Sequence, residues 1–331
     1  MILSSQNGNL VATYGQEGAI DVMKAAGYDA IDMSLFCMSN DSDIFNSDAY
    51  KTRALEIKAH ADKVGIPFNQ SHVPFTFNWK NPNEYEERFF PRQIRGLEIT
   101  ALVGAKIAIV HPIHYFEYKG HEEEMFERNM EFYRSLLPYA KEYDVKIALE
   151  NMWQIDKKRK IISDDACSRA VDFARYVDAL DDEHFVACLD LGHCGLIGEE
   201  AQDAIRILGH DRLKALHVHD NDYRSDVHTL PFLSHMDWEE IMKALADIKY
   251  DGEFTFEADN FLPHFPKDFK PAAVKFMVET GRYLISIYDH YLDQNNKKSN
   301  RPFVERAVVF ILFQIWDSLR ACATVQALLH F

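Results

Sequence analysis

The chain has 331 residues, 47% of them hydrophobic, a length that allows either one large barrel or two ordinary domains. Its formal charge of -16 argues against nucleic acid or an anionic membrane as partner and favours small or cationic ones. Cys37, Cys167, Cys188, Cys194 and Cys322 are scattered, with no Cys-x-x-Cys pair, so neither a disulfide framework nor a zinc knuckle is expected and a reducing cytoplasm is the simplest location.

The opening MILSSQNGNLVATYG has no basic or apolar leader pattern, and no apolar run approaches the roughly 20 residues of a membrane span. A first strand is expected around Val11 to Tyr14. GAIDVMKAAGYDAIDMSL then reads as a helix with Ile20, Met23 and Ala26 at helical spacing, a stop at Gly27, and a strand entered at Ala30 and Ile31. Later strands read as IPFNQSHVPF, AKIAIVHPIH, VKIALENMW, HFVACLDLGHC, LKALHVHDN and GEFTFEADN, each after an amphipathic helix. Nearly continuous apolar runs suit parallel strands covered on both faces, and their recurrence at roughly 40 residues predicts a single (β/α)₈ barrel over residues 1–291. No Gly-x-Gly-x-x-Gly follows the first strand, so a dinucleotide fold has no support. Residues 292–331 are expected to be a polar linker, DQNNKKSNRP, and an apolar helical tail that packs on the barrel or in a homo-oligomer interface.

Catalytic groups of such barrels come from the C-terminal ends of the strands. Here those ends carry His72, then His111 and His114, Glu150, Asp190 and His193, His217, His219 and Asp220, and finally Glu257 and Asp259. One buried carboxylate or imidazole has an ordinary structural explanation, but six consecutive strands ending this way imply a shared site. Without matching basic residues these groups would repel one another, and a bound cation resolves that. Three carboxylates and one imidazole, from Glu150, Asp190, Glu257 and His217, suit Mn²⁺ first, with Co²⁺, Mg²⁺ or Zn²⁺ as alternatives. Phe75, Trp79, Tyr115 and Trp153 are candidates to wall the pocket.

In the order SHVPF, IVHPIH, ALENMW, CLDLGHC, HVHDND, DVHTLPF with its later MDW, and FTFEAD, the sequence resembles the xylose isomerase-like TIM barrels, a superfamily of sugar and sugar-phosphate isomerases, ketose 3-epimerases and type-four apurinic endonucleases. The resemblance to the epimerase branch implies metal ligands Glu150, Asp190, His217 and Glu257, with His217 preferred to His219 because it heads a His-x-x-acid motif. It also implies substrate contacts from His193 and from Arg224, and His72 and His111 are assigned to substrate with them. The endonuclease branch would use His72, His111, Glu150, Asp190, His193, His217, Asp226, His228 and Glu257 for three zinc ions, which makes Asp226 and His228 candidate additional ligands. Against that branch, the first strand lacks Gly-Ala-His-x-Ser, and TLPFLSHMDW stands where Ser-Leu-Gly-Glu-Gly is expected.

The resemblance therefore implies a metal-dependent isomerase or epimerase of a small polyhydroxylated carbonyl compound, with a zinc-dependent hydrolase or phosphodiesterase as the alternative. The metal would chelate the carbonyl oxygen and the neighbouring hydroxyl, while Glu150 and Glu257 exchange the proton through an enediolate.

Overall fold

The computed structural model describes residues 1–75 and 82–299. Eight parallel strands form the barrel: β1 Leu3–Ser5, β2 Ile31–Ser34, β3 Phe68–His72, β4 Ile107–Val110, β5 Lys146–Glu150, β6 Phe185–Asp190, β7 Leu213–His217 and β8 Phe254–Phe256. Strands β2 to β7 pair in chain order, and β8 pairs with β1. The two seams are closed by the parallel bridges Gln6 to Asp32 and Val218 to Phe256. The main helices between and after the strands are α1 Gly8–Ala26, α2 Tyr50–Val64, α3 Phe90–Val103, α4 Glu122–Tyr143, α5 Ala170–Leu180, α6 Ala201–Arg212, α7 Trp238–Asp247 and α8 Lys270–Ser299.

Apolar side chains fill two layers. Ile109, Ala148, Val186, Cys188 and Ala215 pack inside the barrel. The larger cluster fills the shell between strands and helices, with Ile20, Met23, Leu97, Tyr133 and Leu208 among its fully buried members. A parallel strand covered on both faces in this way has no polar face, which explains the unbroken apolar runs in the sequence. The α1 helix stops where expected: Gly27 takes φ 103° and its N–H bonds the carbonyls of Met23 and Lys24, a left-handed cap that a side chain would strain.

The expected first strand at Val11 to Tyr14 is wrong: those residues lie in α1, and the strand is Leu3–Ser5. The misreading has a physical cause. Two of the three residues of β1 are serines, and Ser4 is buried because its hydroxyl pairs with that of Thr255 at 2.6 Å. A strand whose polar groups satisfy each other inside the barrel leaves no apolar signature.

An antiparallel hairpin of Trp153–Asp156 and Ile161–Asp164 is inserted between β5 and α5. At the other end of the chain, α8 runs through Ser299, so the boundary expected at 291/292 falls inside a helix and Asp293–Ser299 continue it. The apolar tail from residue 300 onward and Trp79 lie outside the described residues. No described helix is long and apolar enough to cross a membrane.

Candidate metal centre and active site

Because all eight strands run the same way, their last residues meet at one mouth. Glu150 closes β5, Asp190 closes β6, His217 closes β7, and Glu257 follows β8, each of them buried. His72 ends β3, and His111 follows β4. A cavity of about 480 Å³ opens above them, lined by His72, His111, Glu150, His193, Asp226, His228 and Glu257 among others.

Two groups share this floor. In the first, ligand atoms of Glu150, Asp190, His217 and Glu257 all lie within 4.8 Å of one another. His217 Nδ1 is 2.9 Å from Glu150 Oε1 and 3.1 Å from Glu257 Oε2, so one imidazole edge faces both glutamates. On the other oxygen of Glu150, Oε2 is 2.8 Å from His111 Nε2 and 3.4 Å from His72 Nε2. The second group joins Asp190, His193, His219 and His228 within the same limit. There His219 Nε2 is 3.0 Å from Asp190 Oδ1, and the rings of His219 and His228 stack at 3.8 Å. Asp226 reaches His228 Nε2 at 3.1 Å and His193 Nε2 at 3.6 Å.

The charges balance only against one another. Burial pushes the Glu150 carboxyl up, but the imidazoles of His217 and His111 outweigh it and hold it well below the usual range. Burial lowers the His217 imidazole, and Cys188 with the Glu257 and Glu150 carboxylates reverses this and raises it well above its usual value. His193 is treated likewise: burial lowers it, while Asp190 and Asp226 lift it to about 9. His111 differs, since burial wins over Glu150 and pulls it down to about 4. Protons on imidazoles therefore supply the positive charge that a cation would supply in their place.

The surroundings aim these groups as ligands. His72 donates Nδ1–H to Val73 O, His193 to Asn151 O and His228 to Glu257 O, which leaves each Nε2 as the ring atom that can bind a metal once its proton is displaced. Asn151 clamps the end of β6 by accepting Asp190 N–H at 2.7 Å and donating to Asp190 O at 2.9 Å. Gln6 Nε2 donates to Glu257 Oε1 at 2.9 Å. Buried Glu150 Oε2 and Asp226 Oδ1 face imidazole nitrogens, His111 Nε2 at 2.8 Å and His228 Nε2 at 3.1 Å, so a metal would take the place of protons shared there. The donor set of carboxylates and imidazoles thus fits a divalent cation.

Of the residues singled out from the sequence, His72, His111, Glu150, Asp190, His193, His217, Asp226, His228 and Glu257 converge here. Arg224 does not: it is exposed on the loop after β7, outside the cavity lining. Phe75 stacks on His111 at 4.4 Å and Trp153, in the hairpin, meets His193 edge-on, so both wall the cavity. Tyr115 does not line it and lies under the Arg128 guanidinium.

The residue passed over was His219. His217 and His219 share one face of an extended segment, so the alternation in HVHDND was the available signal that both enter the barrel mouth. Gly192 makes the room: a Cβ there would stand 2.0 Å from His219 Cε1. Asp220, the first acid of the same motif, binds no neighbour in the cluster. Its carboxylate accepts the N–H groups of Phe232, Ser234, His235 and Met236 and the indole N–H of Trp238, folding the loop that follows β7.

A family model of the xylose isomerase-like TIM barrels matches residues 20–275. A D-psicose 3-epimerase from Enterocloster bolteae is 24% identical over 245 residues, 72% of this chain and 75% of its own length. The uncharacterized protein y4fM of Sinorhizobium fredii is 27% identical over 164 residues, 49% of this chain and half (50%) of that protein. Among solved structures, a D-tagatose 3-epimerase-like protein superposes with a TM-score of 0.67 at 16% identity, covering 88% of this chain and 99% of its own.

Proposed function

We propose that this chain, which belongs to the xylose isomerase-like TIM barrel family, is a divalent-metal-dependent isomerase or epimerase of a small polyhydroxylated carbonyl compound, with Glu150 and Glu257 as its proton-transfer pair. The observation that carries this is the placement of both glutamates against one edge of His217, at 2.9 and 3.1 Å, beside Asp190. The epimerase named among the relatives supports the reaction class.

Glu150, Asp190, His217 and Glu257 would hold the ion, with Mn²⁺ favoured and Co²⁺, Mg²⁺ or Zn²⁺ also compatible with the donors. Such an ion supplies positive charge that polarises a carbonyl and acidifies the adjacent C–H. Of the two glutamates, one removes the proton beside the carbonyl and the other returns a proton, the intervening state of the substrate being an enediolate. Gln6 fixes Glu257 Oε1 at 2.9 Å, which confines proton transfer there to Oε2. His72, His111 and His193 present ring nitrogens to substrate oxygens, and Phe75 and Trp153 exclude water on the cavity's flanks.

In this reading the protein works in the cytoplasm on a soluble sugar without nucleic acid. Chelator should abolish ketose or aldose interconversion and Mn²⁺ or Co²⁺ should restore it. Full turnover by metal-free protein would end the assignment.

The clustering of His193, Asp226 and His228 favours one further point: room for an additional ion. Metal analysis of protein purified without added metal decides it. About one equivalent of Mn or Co belongs with the epimerase reading, and near three of zinc with the hydrolase alternative.

A further inference from the structure

Beneath the carboxylate cluster lies a buried carboxylate that the proton chemistry leaves unused. Ile31 and Met33 of β2 enter the shell between strands and helices, so Asp32 between them points into the barrel, where it is fully buried and outside the cavity lining. There it meets the underside of His217. That ring turns Nδ1 to Glu150 and Glu257, while its Nε2 faces Asp32 Oδ2 at 3.7 Å, the one ion-pair contact Asp32 makes among the described residues. Both His217 Nε2 and Asp32 Oδ1 are buried without a hydrogen-bond partner.

A row of hydrogen bonds reaches Asp32 from its other side. Gln70 Nε2 donates to Asp32 Oδ2 at 3.1 Å, Thr255 Oγ1 donates to Gln70 Oε1 at 3.4 Å, and Ser4 Oγ lies 2.6 Å from Thr255 Oγ1. Because the Thr255 proton is engaged by Gln70, Ser4 is the donor in that last pair. Every donor in the row therefore points toward Asp32, from β1 through β8 and β3 to β2, and the carboxylate is where the row ends. The apolar part of the interior, Ile109, Ala148, Val186, Cys188 and Ala215, holds no carboxylate. A neutral imidazole that binds a metal through Nδ1 carries its proton on Nε2. In a dry interior that N–H needs an acceptor, and Asp32 is the charged group facing it. A shift of roughly 0.8 Å brings the two atoms to ordinary hydrogen-bond length.

We propose that Asp32 is a positioning residue of the metal centre: it accepts the Nε2–H of His217 from inside the barrel, which fixes the tautomer of the ring and aims Nδ1 at the ion. This rests on the reading of His217 as a metal ligand and adds to it the residue that holds the ligand in place. Ser4, Thr255 and Gln70 in turn hold Asp32.

The test is a double-substitution cycle on Mn²⁺ affinity, measured by calorimetric titration of the full chain. Asp32→Asn keeps the shape of the side chain, removes its charge, and should weaken Mn²⁺ binding about ten- to hundredfold. His217→Ala should also weaken binding, with Glu150, Asp190 and Glu257 left to hold the ion. Adding Asp32→Asn to His217→Ala should change the affinity by less than about twofold, because the carboxylate then has no ring to orient. Gln70→Leu, which leaves Asp32 without its anchor, should give a smaller loss that likewise disappears in the His217→Ala background. Parental affinity in Asp32→Asn, or in Gln70→Leu if Asp32→Asn does not fold, would overturn the role of Asp32 and leave the metal centre standing. So would a loss as large in the His217→Ala background as in the parent, since Asp32 would then act on the barrel and not through the ring. Parental Mn²⁺ affinity in His217→Ala, or a parent that binds no Mn²⁺, would remove the ligand reading and this proposal with it.

Discussion

Replacing Gly192 by Ala places a methyl group 2.0 Å from His219 Cε1 and 2.5 Å from its Nε2, where about 3.5 to 4 Å is the comfortable carbon contact. The imidazole must retreat by roughly 1.5 Å or more to restore that separation. It is fully buried and stacked 3.8 Å from His228, so it cannot retreat without disturbing that stack. The same motion carries Nε2 from 3.0 Å of Asp190 Oδ1 to beyond hydrogen-bond reach. Overpacking of a tight interior costs about 1–3 kcal/mol, and the lost bond to a carboxylate about 1.5–3 kcal/mol more. With a barrel of this size, each kcal/mol is worth about 2 °C in Tm, so Gly192→Ala should melt roughly 5–12 °C lower. Asp190, now without its imidazole partner, should bind Mn²⁺ about ten- to hundredfold more weakly. Differential scanning calorimetry on the metal-free protein and titration with Mn²⁺ read the two effects separately. A Gly192→Ala protein with parental Tm and parental metal affinity would refute the claim that His219 is locked against Asp190.

Asp220→Asn should lower stability by about 2–4 kcal/mol, because an amide N–H₂ would confront backbone and indole donors that now share a carboxylate. Denaturant unfolding checks it, and because Asp220 lies outside the cluster, the folded variant should keep its metal. The raised imidazoles predict a pH dependence in the metal-free protein. With His193 lifted to about 9 from an ordinary value near 6.5, its stabilisation is complete below pH about 6.5 and is lost as pH rises through about 9. Metal-free Tm should therefore fall across that window. Mn²⁺ affinity should rise over the same range, with protons released on binding, since the ion displaces protons from the imidazoles. Calorimetric titration in two buffers of different ionisation enthalpy measures that release, and binding without it would show that the imidazoles are already neutral.

Much of the site was legible because its residues interrupt apolar strands at their C-terminal ends: ALE at Glu150, CLD at Asp190 and FTFE at Glu257 each put a carboxylate where burial must be compensated. Positions that depend on loop conformation were not legible. Arg224 follows Asp222, whose carboxylate accepts the N–H groups of Arg224 and Ser225 and turns the chain, leaving the guanidinium outside the cavity. His114 and Asp165 meet across the hairpin insertion, and neither carries a local pattern that announces the other. β1 escaped because Ser4 and Thr255 bury polar groups against each other, a pairing across 251 residues that local hydrophobicity cannot register.

The central claim is that Glu150 and Glu257 move a proton at a carbon beside the substrate carbonyl. Incubating the Mn²⁺-saturated protein with its ketose in deuterated water should place deuterium at that carbon in step with turnover. Metal-saturated Glu257→Gln should exchange on the order of a hundredfold more slowly or worse. A metal-saturated Glu257→Gln protein that exchanged substrate hydrogen at the parental rate would contradict the two-glutamate mechanism.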